Sequence, residues 1–382
     1  MTEGPYPRTW LMLGPKDGDN AQILGLAEAL GWPFEIKTIA WRPTELLTNL
    51  TLGPNLFGIV RRDSSPLAPP WPELIVSAGR RNEPVCRWVQ REAAKDGHAV
   101  KLVHVGRPWA SHECFDLVVT TPQYRLPHKA NILHNTTPLH RVTESKLRAA
   151  AAEWAPRFAH LPRPRIAVLL GGNAGPYTFD PEAGDQLGRA AAALARAEGG
   201  SVLVTSSRRT PADALAALEA ALDVPRFVHA WRKGAADNPF FGLLALGDAF
   251  VVTSDSMSML TEAASTERPV HIFDLDDNPR TSQRAPAVGG GPRTPWWWKR
   301  LRRFGFRPLV YRLGIRAGPK RLTRDVSLIH RDLVGSGRAV WLGQPWPDRR
   351  PPPLEDRERA VARVRALFPQ LRDAPRPARD AA

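Results

Sequence analysis

The chain alternates short apolar runs with longer amphipathic stretches, and this alternation predicts its architecture. Runs at residues 9–13, 34–39, 73–77, 101–105 and 116–120 have the length and composition of buried strands. Between several of them lie stretches such as 21–30 and 84–95, where apolar positions recur at the helical period. Strands alternating with helices predict a parallel sheet wrapped on both faces. A second series repeats the design, with strands at 165–170, 201–206, 226–230, 249–253 and 269–273 and helices near 180–197 and 211–222. Between the series, EWAPRFAHLPRPR at 153–165 breaks both periodicities with three prolines and predicts a linker. The expected fold class is therefore α/β, with two Rossmann-like doubly wound domains facing a cleft, at 1–155 and 163–280. From 281 onward the pattern fails. Residues 281–372 are expected to form an aromatic, basic segment and a helix near 355–367 that packs back on the domains, and 373–382 a disordered tail.

Composition narrows the partners. At 382 residues and 43% hydrophobic content the chain has material for two cores. Its net charge of +15, mostly arginine, favours phosphate or anionic lipid. Cys86 and Cys114 lack a paired spacing, so neither a disulfide framework nor a zinc site is expected. The apolar run at Trp10–Leu13 is interrupted at once by Gly14-Pro15, which is not the pattern of a secretory leader, and no later run has bilayer length. The expected location is cytoplasmic. The segment 295–321 interleaves Trp296, Trp297, Trp298, Phe304, Phe306 and Tyr311 with many cations, which suits peripheral attachment at the inner membrane. Packing of the same tryptophans against a domain is the alternative. No nucleic-acid-binding motif accompanies them, so nucleic acid is not an expected partner.

The candidate chemistry sits where strands end and helices begin, the edge at which open α/β sheets bind ligands. In NPFFGLLALGDAFVVTSDSMSMLTEAASTERPV, Asn238 and Pro239 open a helix, 249–253 is a buried strand, and Thr253-Ser254-Asp255-Ser256 crowds hydroxyls and a carboxylate at its end. Glu262 follows Asp255 by seven residues, which predicts one shared helical face with Ser258 between them. That arrangement suits a polyhydroxylated ligand such as a ribose or sugar, whereas simple helix capping accounts for Asp255 alone. Gly171-Gly172-Asn173 after the 165–170 strand permits a tight turn and close approach of a ligand to backbone N–H groups. After the next strand come Ser206, Arg208 and Arg209, suited to a diphosphate beside a helix start, while Thr210 with Asp213 suggests a capping box. In the first domain, Lys16, Asp19 and Asn20 lie between the first strand and helix. Asp19 is a candidate base for an acceptor hydroxyl, or only a helix cap. Arg80 and Arg81 follow another strand and either hold an anionic acceptor or form a surface turn. His104, Arg107 and His128 stand without an evident partner, and the motifs of serine-elbow hydrolases, P-loop enzymes and zinc proteases are absent.

These blocks, together with GDNAQILGLAEALGWPFE, LIVSAGRR, FDLVV, LPRPRIAVLLGGN and SVLVTSSRRT, resemble the mitochondrial fission Elm (elongated mitochondria) family from Trp10 to about Leu275. One departure is Thr120-Thr121-Pro122-Gln123-Tyr124, where many relatives carry proline, histidine and aspartate. The resemblance implies a GT-B-like glycosyltransferase with its donor site in the second domain and no cofactor or bound metal. On this sequence it implies that Gly171 and Gly172 approach the donor phosphates, and that Arg208 and Arg209 neutralise them. Ser254 to Ser256 would hold the sugar or diphosphate, and Glu262 the ribose. The expected reaction moves a sugar from a nucleoside-diphosphate donor to an acceptor, lipid-linked in one version. A nucleoside-diphosphate-sugar 2-epimerase and a non-enzymatic peripheral membrane scaffold are the rival readings.

Overall fold

In the computed structural model, residues 5–42, 53–234, 237–275, 324–347 and 351–371 are described. Trp296–Trp298, the rest of the aromatic segment and the tail at 373–382 lie outside them. Contacts divide the chain into two units, Met1–Arg141 with Leu354–Ala382, and Val142–Pro353.

The first unit is a parallel sheet in the order β2-β1-β3-β4-β5-β6. Its strands are β1 (Thr9–Leu13), β2 (Phe34–Thr38), β3 (Leu74–Ala78), β4 (Lys101–Val105), β5 (Leu117–Thr120) and β6 (Ile132–His134). Every residue of β3 and β5 is buried, as expected of parallel strands covered on both faces. Helix α1 (Asp17–Leu30) packs on one face through Ile23, Leu26 and Leu30, and α2 (Asn82–Lys95) on the other through Val85, Cys86 and Val89. Because β1 and β3 are neighbours and β2 lies outside β1, the direction of winding reverses between β1 and β3.

The second unit orders its strands β12-β11-β10-β7-β8-β9, so its reversal falls between β7 and β10. The strands are β7 (Arg165–Leu169), β8 (Ser201–Thr205), β9 (Arg226–His229), β10 (Ala249–Thr253), β11 (Val270–Phe273) and β12 (Val340–Trp341). Helices α3 (Glu144–Phe158), α6 (Phe240–Leu246), α7 (Met257–Ala264) and α8 (Ser327–Gly335) contribute to one apolar cluster. Helices α4 (Pro181–Ala197) and α5 (Ala212–Ala220) contribute to the other. Two Rossmann-like doubly wound domains are thus the fold.

Three elements differ from the sequence expectation. The first part of the predicted linker, 153–158, is the end of α3, whose Thr143 hydroxyl accepts the Lys146 N–H at 3.2 Å and whose Trp154 and Phe158 are buried. Pro156 lies inside this helix, and packing of Phe158 on Phe227, centroids 5.0 Å apart, outweighs its helix-breaking tendency. Strands β6 and β12 escaped notice because three and two residues are too few to show a period. Among the described residues no helix is long and apolar enough to cross a membrane.

The last helix, α9 (Asp356–Arg365), belongs to the first unit, where Ala360, Val364 and Phe368 join Leu26, Leu30 and Trp32 in one cluster. Its anchor is the buried Asp356 carboxylate, which accepts the Thr136 N–H at 2.9 Å, the Thr137 N–H at 2.8 Å and the Thr137 hydroxyl at 3.0 Å. Asp356→Ala should destabilise the first unit by about 2–4 kcal/mol, because buried amides lose a charged acceptor. Calorimetric unfolding combined with amide exchange at residues 356–365 checks this, and unchanged protection of α9 would refute it.

Candidate functional site

The carboxyl ends of β7, β8 and β10 meet around one carboxylate. Asp255 has no exposed side-chain surface. Its Oδ2 accepts the Gly172 N–H at 3.0 Å and pairs with Arg209 Nη1 at 2.7 Å, while its Oδ1 accepts the Thr253 hydroxyl at 2.8 Å. Thr253 Oγ1 in turn accepts the Gly171 N–H at 2.8 Å. The Thr210 hydroxyl donates to the Gly171 carbonyl at 2.6 Å, the Ser207 hydroxyl donates to the same oxygen, and the Asn173 N–H donates to the Arg209 carbonyl at 3.1 Å. Burial pushes the Asp255 carboxyl above its ordinary range, opposed by Arg209, the Thr253 hydroxyl and the Gly172 amide.

Glycine is required here for space. A Cβ on Gly171 would lie 2.3 Å from Asp255 Oδ2, and one on Gly172 2.1 Å from the Arg209 carbonyl oxygen. Gly172 also holds φ +139, which side chains rarely adopt.

This geometry corrects several expectations. Both glycine N–H groups are engaged by Thr253 and Asp255, so they join two turns and are not presented to a diphosphate. Asp255 does not share a helical face with Glu262. It precedes α7, which starts at Met257, because its carboxylate turns back to satisfy the Gly172 amide. Thr210 forms no capping box with Asp213. It reaches the glycine turn, the Asp213 carboxylate accepts the adjacent Ala214 N–H, and Pro211 occupies the cap of α5. Asn238 accepts the Phe240 N–H at 3.1 Å with Pro239 at the cap, one position from the expected start. The Asn173 side chain accepts the Phe179 N–H at 2.8 Å and closes its own loop.

Other sequence candidates gather at the same edge. Ser254 Oγ accepts the Leu275 N–H at 3.0 Å, and Ser206 Oγ accepts the Trp231 N–H at 2.8 Å, so each hydroxyl anchors a neighbouring segment. Ser256 is the N-cap of α7 and makes no side-chain capping bond. Ser258 is half-buried and Glu262 buried on that helix, while Arg208 is exposed beside Arg209. His330 of α8 was missed because it follows the segment where periodicity fails. It is 3% exposed and packs on Trp341 with centroids 5.5 Å apart, close to the Ser254 backbone. Burial drives its imidazole down to about 4, so it braces the turn as a neutral group.

In the first unit the reversal between β1 and β3 is lined by the expected residues, though not all in the expected role. Asn20 Oδ1 accepts the Gly14 N–H at 2.9 Å and its Nδ2 donates to the Gly14 carbonyl at 2.8 Å, so it closes the β1–α1 turn rather than facing an acceptor. Lys16 is exposed at the cap of α1, and Arg81 is half-buried at the cap of α2. Asp19 leans over the β3 turn, its Oδ2 3.1 Å from where a Gly79 Cβ would be. Arg80 stacks on the Trp109 ring, 4.5 Å from its centroid. Glu83, missed in the sequence because it reads as one more charge on an amphipathic helix, is 2% exposed. Its Oε1 and Oε2 each lie 2.9 Å from the Trp109 N–H, and Oε2 also accepts the Ala110 N–H at 2.8 Å.

The single histidines and Arg107 have partners after all. His104 is buried with Nδ1 3.2 Å from Ser77 Oγ, and burial drives it down to about 3. His128 stacks on His134 at 4.3 Å, and Arg107 donates to the Tyr124 carbonyl.

Two outcomes follow from these contacts. Gly171→Ala should force the β7 and β10 turns apart and destabilise the second unit by about 1–3 kcal/mol; an unaltered unfolding midpoint would refute the close approach. Burial raises Glu83 from its ordinary 4.5 to about 7, with the Ala110 and Trp109 amides and the cations Arg87 and Arg80 opposing. The neutral acid is therefore favoured by folding, a contribution complete below pH 4.5 and lost as pH rises through 7. Glu83→Gln, which cannot ionise, should gain stability relative to the parent between pH 5 and 8, by up to about 3 kcal/mol. A difference that stays constant across that range would refute it.

A family model described as mitochondrial fission ELM1 matches residues 17–287. A relative named mitochondrial fission protein ELM1, from Arabidopsis thaliana, is 30% identical over 227 residues, covering 54% of this chain and 52% of that protein. The chain thus matches about half the length of that relative. An uncharacterised protein from Rickettsia prowazekii is 21% identical over 299 residues, covering 69% and 82% of the two chains. Among solved structures, the chain is similar to a UDP-GlcNAc 2-epimerase from Methanocaldococcus jannaschii, with TM-score 0.46 and 11% identity over 94% of this chain and 98% of that one. It is also similar to a glycosyltransferase from Rickettsia africae, with TM-score 0.41 and 10% identity over 96% and 99%. By the match to its family model, this chain belongs to the mitochondrial fission ELM1 family.

Proposed function

We propose that the chain is a glycosyltransferase of the GT-B type that binds a nucleoside-diphosphate sugar at the β7–β10 reversal of its second unit. The observation that carries this reading is the 2.7 Å pair between Arg209 and Asp255. Through it, the arginine corner after β8 and the hydroxyl-rich turn after β10 meet at one place, as a diphosphate joined to a nucleoside requires. The α7 N-terminus follows that turn without a side-chain cap, and unsatisfied N–H groups there favour a phosphate. Arg208, exposed and next in sequence to Arg209, is the guanidinium assigned to the phosphate in this reading. Glu262, one and a half turns along α7, is the group for ribose hydroxyls.

In this reading the leaving nucleoside diphosphate is stabilised by the helix N-terminus and guanidinium charge. In this reading Arg209 acts mainly through Asp255, and the exposed Arg208 is assigned the phosphate contact. Asp19 remains the candidate base on the acceptor side. The acceptor's lipid linkage and peripheral attachment at the inner membrane are further parts of the proposal that involve Trp296, Trp297 and Trp298.

Calorimetry with a panel of sugar nucleotides, with thermal shift by the corresponding diphosphates, tests the reading. At least one donor should bind, Arg208→Ala and Glu262→Ala should each weaken it about tenfold or more, and Arg209→Ala should also lower the melting temperature by freeing Asp255. No binding by any member of the panel, or affinities indifferent to both Arg208 and Glu262, would sink the donor site.

A further inference from the structure

The loops that follow β3 and β4 are neighbours at the carboxyl edge of the first sheet, because those strands pair directly. The first loop carries Arg80 and the second Trp109, stacked with the guanidinium 4.5 Å from the ring centroid. Trp109 is half-buried and belongs to neither apolar cluster of its unit, so its ring is not there to fill the core.

Its backbone is nevertheless held with unusual rigour. Both oxygens of the buried Glu83 lie 2.9 Å from the Trp109 N–H, and one lies 2.8 Å from the Ala110 N–H. At the root of the loop the Gly106 N–H donates to the Val119 carbonyl at 2.8 Å, and Arg107 donates to the Tyr124 carbonyl. Burying a carboxylate is costly, and a plain connection between β4 and β5 has no need of one. The burial is explained if the position of Trp109 matters. An arginine stacked on a ring keeps its in-plane N–H donors directed sideways, the geometry that meets a phosphate, while the ring supplies an apolar wall beside it. Asp19 and the exposed Lys16 belong to the turn after β1, the strand on the other side of β3.

We propose that Arg80 and Trp109, held in place by Glu83, form the acceptor-recognition platform of the first unit, and that its substrate class is a phosphate ester with a flat or apolar group next to the phosphate. The name acceptor rests on the transferase reading above; the binding does not. Arg80 meets the phosphate, Trp109 the adjoining group, and Glu83 is a positioning residue that touches neither.

The probes are phenyl phosphate, inorganic phosphate and phenol, titrated calorimetrically into the full chain, with the nucleoside-diphosphate thermal shift measured on the same samples. Phenyl phosphate should bind about tenfold or more tightly than either fragment. Arg80→Gln and Trp109→Leu should each remove most of that gain, and Glu83→Gln part of it, with the diphosphate shift retained in all three. Trp109→Phe, which keeps a ring, should restore binding relative to Trp109→Leu, a result that a merely structural role would not produce. Equal affinity for phenyl phosphate and inorganic phosphate, or affinities indifferent to Arg80 and Trp109 while the diphosphate shift persists, overturns the platform alone. Phenyl phosphate binding that depends on both residues, in a chain that no nucleoside diphosphate stabilises, overturns the donor reading and leaves the platform standing.

Discussion

The candidate donor site depends on one buried carboxylate. Asp255 has three hydrogen-bonding or ionic partners from three separate strand ends, and none of its side chain reaches solvent. A buried charge of this kind holds structure together chiefly because removing its ion-pair partner, Arg209, leaves it uncompensated, at a cost of about 3–5 kcal/mol. The turns after β7, β8 and β10 therefore keep a common geometry. Gly171 and Gly172 make this possible by removing the Cβ atoms that would stand in the way.

The same constraint sorts the polar residues of that edge into two groups. Thr253, Asp255, Ser207 and Thr210 satisfy buried backbone and charge, and His330 and Ser254 brace the segment behind them. Ser256 and Ser258 lie at the start of α7, where the helix has no side-chain cap, Glu262 is buried further along it, and Arg208 is exposed next to Arg209. The groups that most resemble ligand-binding residues in the sequence thus form a rigid inner layer that serves the fold. The first unit repeats the principle with different chemistry, since Asn20 closes one turn and Glu83 fixes another, on which Arg80 stacks against Trp109.

Much of this was legible beforehand. Ten strands and the principal helices follow from periodicity, and the polar clusters at 171–173, 206–210 and 253–258 stand out because polarity changes abruptly after buried strands. What misled was proline near 156, where local propensity favours a break and the packing of Trp154 and Phe158 decides for a helix. Glu83 and His330 gave no signal, since a buried carboxylate and a buried imidazole look in sequence like any other charged or polar position on a helix.

The sequence by itself determined the α/β class, the two-domain plan and the edge of each sheet at which polar turns gather, because these rest on periods of two and 3.6 residues that are local properties of the chain. Tertiary structure alone decided the strand order, and with it which turns become neighbours. Gly172 and Asp255 are 83 residues apart and hydrogen-bonded, while Glu83 reaches Trp109 across 26. Whether a hydroxyl or carboxylate serves the fold or a ligand depends on which buried donors it meets, and those donors are supplied by strands distant in sequence.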